Sequence, residues 1–364
     1  MDMFNRLFVL LASLLAFQAF SEIPDVVNIL KRANSGEPEA QNILGTYYQS
    51  GSVVAEDDAE AVRWYKKAAA QNNVRAQYNL AYMYLKGEGI PQNDILAAMW
   101  YEKAAEQGYV LAQFHLASMY EDGVGVNQNS TEAVRWYMEA AKKGLAIAQY
   151  ELAERYTRAW GLSEDYTEAV KWFRKAAEQD HVESQFRLAS AFYLGLGVPE
   201  DHREAKHWYT KAAYRGHERA QFELAKLLRL GGEGIDVNYY EALKWFRKAA
   251  EQGHPMAYYH LARMNEKGQG LPENYNEAAQ LYKKAAKQGV VKAQHNLALY
   301  YAEGKGVKKD LIQAYLWMSM SKTLGDDDAS YNLDVIKSWM SQNQINKAQI
   351  LANKCFSSQY KNCD

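Results

Sequence analysis

The sequence predicts an all-α solenoid of about eight 36-residue helix–turn–helix units, closed by terminal cap helices, and three observations carry that expectation. The pair Ala-Gln recurs at a step of 36 residues, with a single step of 37. A leucine stands four residues beyond every anchor, and a second block of alanine and tryptophan columns keeps the same phase. Such arrays grow by adding units rather than by enlarging one core, so length is a poor guide to domain number.

Residues 1–21 differ from everything that follows. Arg6 precedes an apolar run from Leu7 to Phe17, and Ala19 and Ser21 are small enough to flank a cleavage point. The run has the length of a signal-peptide core and is short for a bilayer span, so export with cleavage near Ser21–Glu22 is expected, leaving no transmembrane span in the mature chain. Residues 22–39 are expected to form an N-terminal cap, with Pro24 to Ser35 in the phase of a leading second helix.

The array is expected over residues 40–328. Its anchors are Ala40, Ala76, Ala112, Ala148, Ser184, Ala220, Ala257, Ala293 and Ala329, and the following leucines run from Leu44 and Leu80 to Leu333 without exception. In the second block Trp64, Trp100, Trp136, Trp172, Trp208, Trp245 and Trp317 share a column, with Leu281 as the one substitute. An alanine lies three residues before each, on the same helical face, so the small residue admits a neighbour's ring; all seven tryptophans are expected in the core.

Helix ends are legible too. Second helices stop at Gly36, Asn72, Gly108, Gly144, Asp180 and their equivalents, residue types that tolerate the left-handed conformation. First helices end at Gly-x-Gly, and Asn93, Ser130, Thr167 and Asn276 are expected to cap the helices that follow. Residues 329–364 supply a closing first helix and a terminal cap helix, the latter opened by Ser341 with Gln344 three later, a capping-box spacing.

Chemistry is harder to find. With 42 Lys plus Arg against 44 Asp plus Glu, no overall field would draw the chain onto nucleic acid. The basic clusters of the second helices, such as Lys171/Arg174/Lys175, are interleaved with Glu168 and Glu178 and read as a mixed solvated face. His181, His217 and His254 form one column, but equivalent atoms in stacked units lie on the order of 10 Å apart, against ~2 Å for a zinc ligand. No P-loop, nucleophile elbow or dinucleotide fingerprint occurs, so neither catalysis nor a cofactor nor a metal is expected.

At these columns the chain resembles the Sel1-like repeat family, relatives of the tetratricopeptide repeats. The segment AQYNLAYMYLKGEGIPQND, Ala76 to Asp94, followed by AAMWYEKAAEQG, Ala97 to Gly108, is similar to that family's pattern almost throughout, and the match extends over roughly residues 40–325. The resemblance implies a right-handed superhelix that serves as a scaffold for protein partners. Exported bacterial members imply envelope or exopolysaccharide functions or interaction with host cells. Relatives with reported β-lactamase-like activity carry a disulfide in every repeat; this chain has only Cys355 and Cys363, both in its last ten residues, so that label is disfavoured. The two cysteines either close a small loop or remain free thiols in the tail.

In two-helix solenoids the first helices line the concave side, which makes their variable columns the expected recognition surface. Candidate contacts are Tyr82, Met83, His115, Met119, Glu151, Arg155, Arg158, Trp160 and Arg187. Met83 and Met119 belong to a mostly apolar column, broken at Arg155, that serves either as an adaptable contact surface or as packing between units. The stretch RYTRAWGLSEDYTEAV, Arg155 to Val170, carries Ala159-Trp160-Gly161 where its neighbours carry Gly-x-Gly. Helix termination there is expected to shift, and Trp160 is either an interface anchor, the role in which Trp and Arg are enriched, or a cover for its own unit. The function expected is a monomeric, non-enzymatic, exported adaptor in the periplasm or outside the cell, holding a protein partner. The alternative is an envelope factor that acts on or regulates peptidoglycan or polysaccharide metabolism.

Overall fold

A computed structural model describes residues 24–360 and 363. Among them lie nineteen α-helices, and the sole β-type pairing is an isolated bridge between Gly232 and Ile235. The predicted signal peptide lies outside the described residues. The chain divides into two compact units between Gln179 and Asp180.

The first unit holds α1 (Pro24–Asn34), α2 (Pro38–Ser50), α3 (Asp58–Ala70), α4 (Val74–Lys86), α5 (Asp94–Glu106), α6 (Val110–Asp122), α7 (Ser130–Lys142), α8 (Ala146–Arg158) and α9 (Tyr166–Glu178). The second holds α10 (Val182–Leu194), α11 (His202–Tyr214), α12 (Glu218–Leu230), α13 (Tyr239–Glu251), α14 (Pro255–Glu266), α15 (Tyr275–Ala286), α16 (Val291–Glu303), α17 (Leu311–Thr323), α18 (Ala329–Ser338) and α19 (Gln342–Ser357). Within each unit each helix packs on the next as far as α18, and both α18 and α19 cover α17. This is the predicted all-α solenoid, with α1 where the leading second helix was expected.

The anchor columns are buried for distinct reasons. Leu44, Leu80 and Leu152 are wholly inaccessible, as are Ala61, Ala97 and Ala133; full burial of one leucine stabilises by about 1.5–3 kcal/mol. The glutamine of each Ala-Gln pair is buried because its amide links two helices. Gln41, Gln113 and Gln149 donate to the carbonyls of Ala33, Ala105 and Ala141 at 3.1 Å, satisfying the open end of the preceding helix. The carbonyl oxygens of Gln41, Gln77 and Gln149 accept from Gln71, Gln107 and Gln179 at 2.7–2.9 Å. The second unit repeats the device, with Gln221 bonded to the Ala213 carbonyl and to Gln252.

The tryptophan column differs from expectation. Trp317 is fully buried, but Trp100 and Trp172 are only half-buried, because the column lies at the rim of the core. Lysine ammonium groups cover the rings, with Lys67 3.8 Å from Trp64, Lys103 4.4 Å from Trp100 and Lys175 3.8 Å from Trp172. The deepest aromatic is the one that follows tryptophan: Tyr65, Tyr101, Phe246 and Tyr282 are inaccessible.

Cap register is corrected as well. Asn93 caps α5 as expected, but Asn129, Asp165 and Asn274 cap α7, α9 and α15 in place of Ser130, Thr167 and Asn276. The extended backbone of a cap falls one or two residues earlier than expected, so those three residues lie inside the first turn. Ala159 takes the left-handed conformation (φ 53°) of Gly87 and Gly123 in its place, and α8 ends after thirteen residues like its neighbours. The expected shift in helix termination does not occur. Gly161 is retained for a different reason: a Cβ there would sit 2.6 Å from the Ser130 carbonyl oxygen. At the carboxyl terminus Ser341 and Gln344 form the expected capping box, and Cys355 and Cys363, both buried, are joined by a disulfide.

Candidate functional site

The column containing Met83 and Met119 settles into the core: Met83 is inaccessible, Met119 is 4% exposed, and Ala191, Leu227, Met264 and Tyr300 are buried at equivalent positions. Met83 and Met119 are therefore packing between helices and not contact residues, which corrects that expectation. Arg155 occupies the same column in α8 and is only 8% exposed, so a guanidinium sits where the other units place apolar atoms.

A cation in such a place needs compensation. Its guanidinium bonds the carboxylates of Glu121, on the preceding first helix α6, and Glu151, one turn earlier on α8, and also donates to the Glu151 carbonyl at 2.8 Å. It lies 4.7 Å from the Tyr137 ring and 5.7 Å from the Trp160 ring. The Tyr137 hydroxyl donates to Glu121 at 2.9 Å, which locks the carboxylate from the other side. Burial works against the charge on Arg155, but the hydrogen bond with Glu121 and the charge of Glu151 outweigh it and hold its pKa above the ordinary value.

Above this network opens a cavity of about 450 Å3. Its lining combines the carboxylates of Glu121, Glu151 and Glu154, the guanidinium groups of Arg155 and Arg158, and the aromatic Tyr150 and Trp160. Arg158 pairs with Glu154 at 2.7 Å, with the arginine 69% and the glutamate 6% exposed. Trp160 is half-buried, packs against the cores on either side and also lines the cavity, so it serves as cover and as wall at once.

Four of the predicted contacts are thus brought together: Glu151, Arg155, Arg158 and Trp160. Tyr82 is half-buried against the core, its ring 6.0 Å from the Lys86 ammonium. His115 stacks on Tyr101 at 5.3 Å and meets the Tyr78 hydroxyl at 3.3 Å, and burial lowers its pKa. Arg187 belongs to the second unit, where it pairs with Glu183 at 3.3 Å. Sequence reasoning missed Glu121, Tyr137 and Tyr150, while Glu154 stands in the same variable first-helix column as Tyr82. One signal was available: a tyrosine sixteen residues after a polar first-helix position also bonds it in Tyr65–Gln49 and Tyr282–Glu266.

The histidine column has a structural use. His181, His217 and His254 stand at helix N-caps, where Nδ1 accepts the backbone amides of Ser184, Ala220 and Ala257. A serine–histidine–aspartate group does occur in the second unit, but its order is wrong for nucleophile activation. The Ser321 hydroxyl and His295 Nδ1 both bond Asp326 Oδ2, the latter at 2.6 Å, and His295 Nε2 faces the Asn332 amide at 3.1 Å. Activation needs the serine on the imidazole. Among the described residues no cluster of three or more His, Cys, Asp or Glu could hold a metal, and no helix is long and apolar enough to cross a membrane.

Comparison with known proteins places this architecture. Eight consecutive segments, 38–73, 74–109, 110–145, 146–181, 182–217, 218–254, 255–290 and 291–326, match the Sel1 repeat. A Sel1 repeat protein from Oxalobacter formigenes superposes with a TM-score of 0.64 at 28% identity, over 88% of this chain and 93% of that one. The protein c5321, a protective antigen of uropathogenic Escherichia coli with an SLR fold, does so with a TM-score of 0.52 at 27% identity, over 95% and 92%. No curated protein sequence matches. With eight consecutive repeats matched over residues 38–326 and two solved repeat proteins similar over most of their length, the chain belongs to the Sel1 repeat family.

Proposed function

We propose that this chain is an exported, monomeric adaptor without catalytic chemistry of its own, which holds a protein partner against the first-helix side of its first unit. One observation carries the proposal: the apolar first-helix column is interrupted at Arg155, and the interruption opens into a cavity walled by Trp160 and rimmed by the exposed Arg158. Packing alone does not call for a buried ion network there, since methionine fills the equivalent space at Met83 and Met119. Export fits the apolar segment Leu7 to Phe17 and the Cys355–Cys363 disulfide, which persists in oxidising compartments. The likeness to a protective antigen supports the same location.

Photo-crosslinking tests the assignment. A crosslinking amino acid placed at Arg158 should capture a partner in cells of the source organism, whereas one at the exposed Glu102 of the second helix α5 should not. Capture at Glu102 with none at Arg158 would overturn the choice of face. For export, amino-terminal sequencing of the extracytoplasmic protein should begin at Glu22; recovery of intact Met1 in the cytoplasm alone refutes it.

A further inference from the structure

The cavity in the first unit has a charge imbalance that identifies its occupant. Three carboxylates, Glu121, Glu151 and Glu154, face two guanidinium groups, Arg155 and Arg158. Both cations are already engaged within the protein. Arg155 is spent on Glu121, Glu151 and the Glu151 carbonyl, and Arg158 pairs with Glu154. Each of Glu121 and Glu151 meets Arg155 through its Oε2 alone. Their Oε1 atoms accept no hydrogen bond from a described residue, and both side chains remain 26% exposed. What the cavity offers an incoming group is therefore carboxylate oxygen together with the aromatic side chains of Trp160 and Tyr150.

That combination recognises a cation. A guanidinium or ammonium can accept charge-assisted bonds from the two free carboxylate oxygens while its flat face or stem lies on an indole or phenol ring. An anion would meet a lining with three carboxylates to two guanidinium groups, and would have to compete with the carboxylates that already pair both arginines. A neutral apolar group would leave the carboxylates desolvated and unpaired, which is unfavourable. The volume, about 450 Å3, suits one side chain with part of its backbone rather than a globular surface. The geometry points to a subsite for a single arginine or lysine side chain carried on an extended segment of a partner protein. Arg155 is the positioning residue: it spans two successive first helices and holds both glutamates toward the opening. This assignment rests on the adaptor proposal and deepens it by naming the chemistry of the contact.

The probe is a dye-labelled peptide, acetyl-Gly-Ser-Arg-Ser-Gly-amide, titrated into the full chain by fluorescence anisotropy against the same peptide with citrulline or glutamate in place of arginine. Citrulline keeps the shape and removes the charge. The arginine peptide should bind at least tenfold tighter than the citrulline peptide, and a lysine peptide should also bind. The glutamate peptide should not, and the preference should shrink as salt rises. The triple variant Glu121→Gln, Glu151→Gln, Arg155→Met keeps an apolar side chain in the column and should lose the arginine preference while retaining its helical circular dichroism. Equal affinity for arginine and citrulline, or an arginine preference undiminished in a folded triple variant, overturns the subsite. Should the triple variant fail to fold, the comparison of the two peptides on the native chain decides alone. Crosslinking at Arg158 that persists while the arginine peptide fails would leave the adaptor standing and remove only this contact.

Discussion

Arg155→Met is the most informative single change in the chain, because it restores the side chain found at Met83 and Met119 and yet should destabilise the protein. The Arg155 side chain is 9% exposed, and Glu121 and Glu151 are 26% exposed. Removing one partner from a fully buried pair costs ~3–5 kcal/mol. A quarter of each carboxylate here still reaches water, which brings the expected cost to about 2–3 kcal/mol. Methionine returns about 1 kcal/mol through apolar contact at a site already shaped for the column. The net expectation is a loss of about 1–2 kcal/mol, concentrated in α6 and α8. Adding Glu121→Gln and Glu151→Gln should bring stability back to within about 0.5 kcal/mol of the native chain, since amides cost less to leave beside apolar atoms. Urea unfolding by circular dichroism gives the total, and hydrogen exchange at the two helices localises it, which matters because long repeat arrays need not unfold in one step. A single variant as stable as the native chain, or a triple variant no better than the single, would refute the reasoning.

Three further outcomes are expected. Ala159→Gly should stabilise by about 0.5–1 kcal/mol, because a left-handed alanine is strained, whereas Gly161→Ala should destabilise by more, since its Cβ would meet the Ser130 carbonyl; paired urea melts read the contrast. His260 is buried beside Arg229 and its pKa is pushed down to about 3, so it folds as the neutral ring. Its contribution is full above the unfolded value near 6.5 and is lost as the pH falls through about 3. His260→Asn, the residue at the equivalent Asn79, should flatten that part of the native stability profile between those limits, and an unchanged profile would count against it. Reduction of Cys355–Cys363, which closes a loop with a sequence separation of 8, should cost about 2.5 kcal/mol locally. Hydrogen exchange should then rise in α19 and stay constant in the first unit.

The repeat and its helix ends were legible because they depend on local rules. A left-handed terminus selects glycine, asparagine or aspartate, and a leucine buried once per period repeats with that period. Trp160 and Arg155 were legible as departures from that rhythm. Their surroundings were not, because Glu121 and Arg155 meet across 34 residues, and which columns touch depends on side-chain reach between stacked helices. The same limit hid the inward position of Tyr65 relative to Trp64: adjacent residues point some 100° apart around a helix, and only packing decides which direction is the centre. Cap register slipped for a simpler reason, since Ser130 and Asn129 are both good capping residues and periodicity does not choose between neighbours.

The buried glutamines have a consequence for how such a chain changes length. In the first unit Gln77 bonds the carbonyl of Ala69, eight residues back, and accepts from Gln107, thirty residues on. Gln113 repeats the first bond one period later, on Ala105. Excising residues 74–109 would bring Gln113 to the Ala69 carbonyl and Val110 to the Asn73 cap, so the bond that closes the preceding helix finds its counterpart at the new seam. Loss or duplication of one whole period is thus a near-silent event for the backbone, while gain of a single residue is absorbed only in a loop, as at Gly231–Gly234. The length of the array is free to drift under selection for reach, with the seams acting as interchangeable fittings.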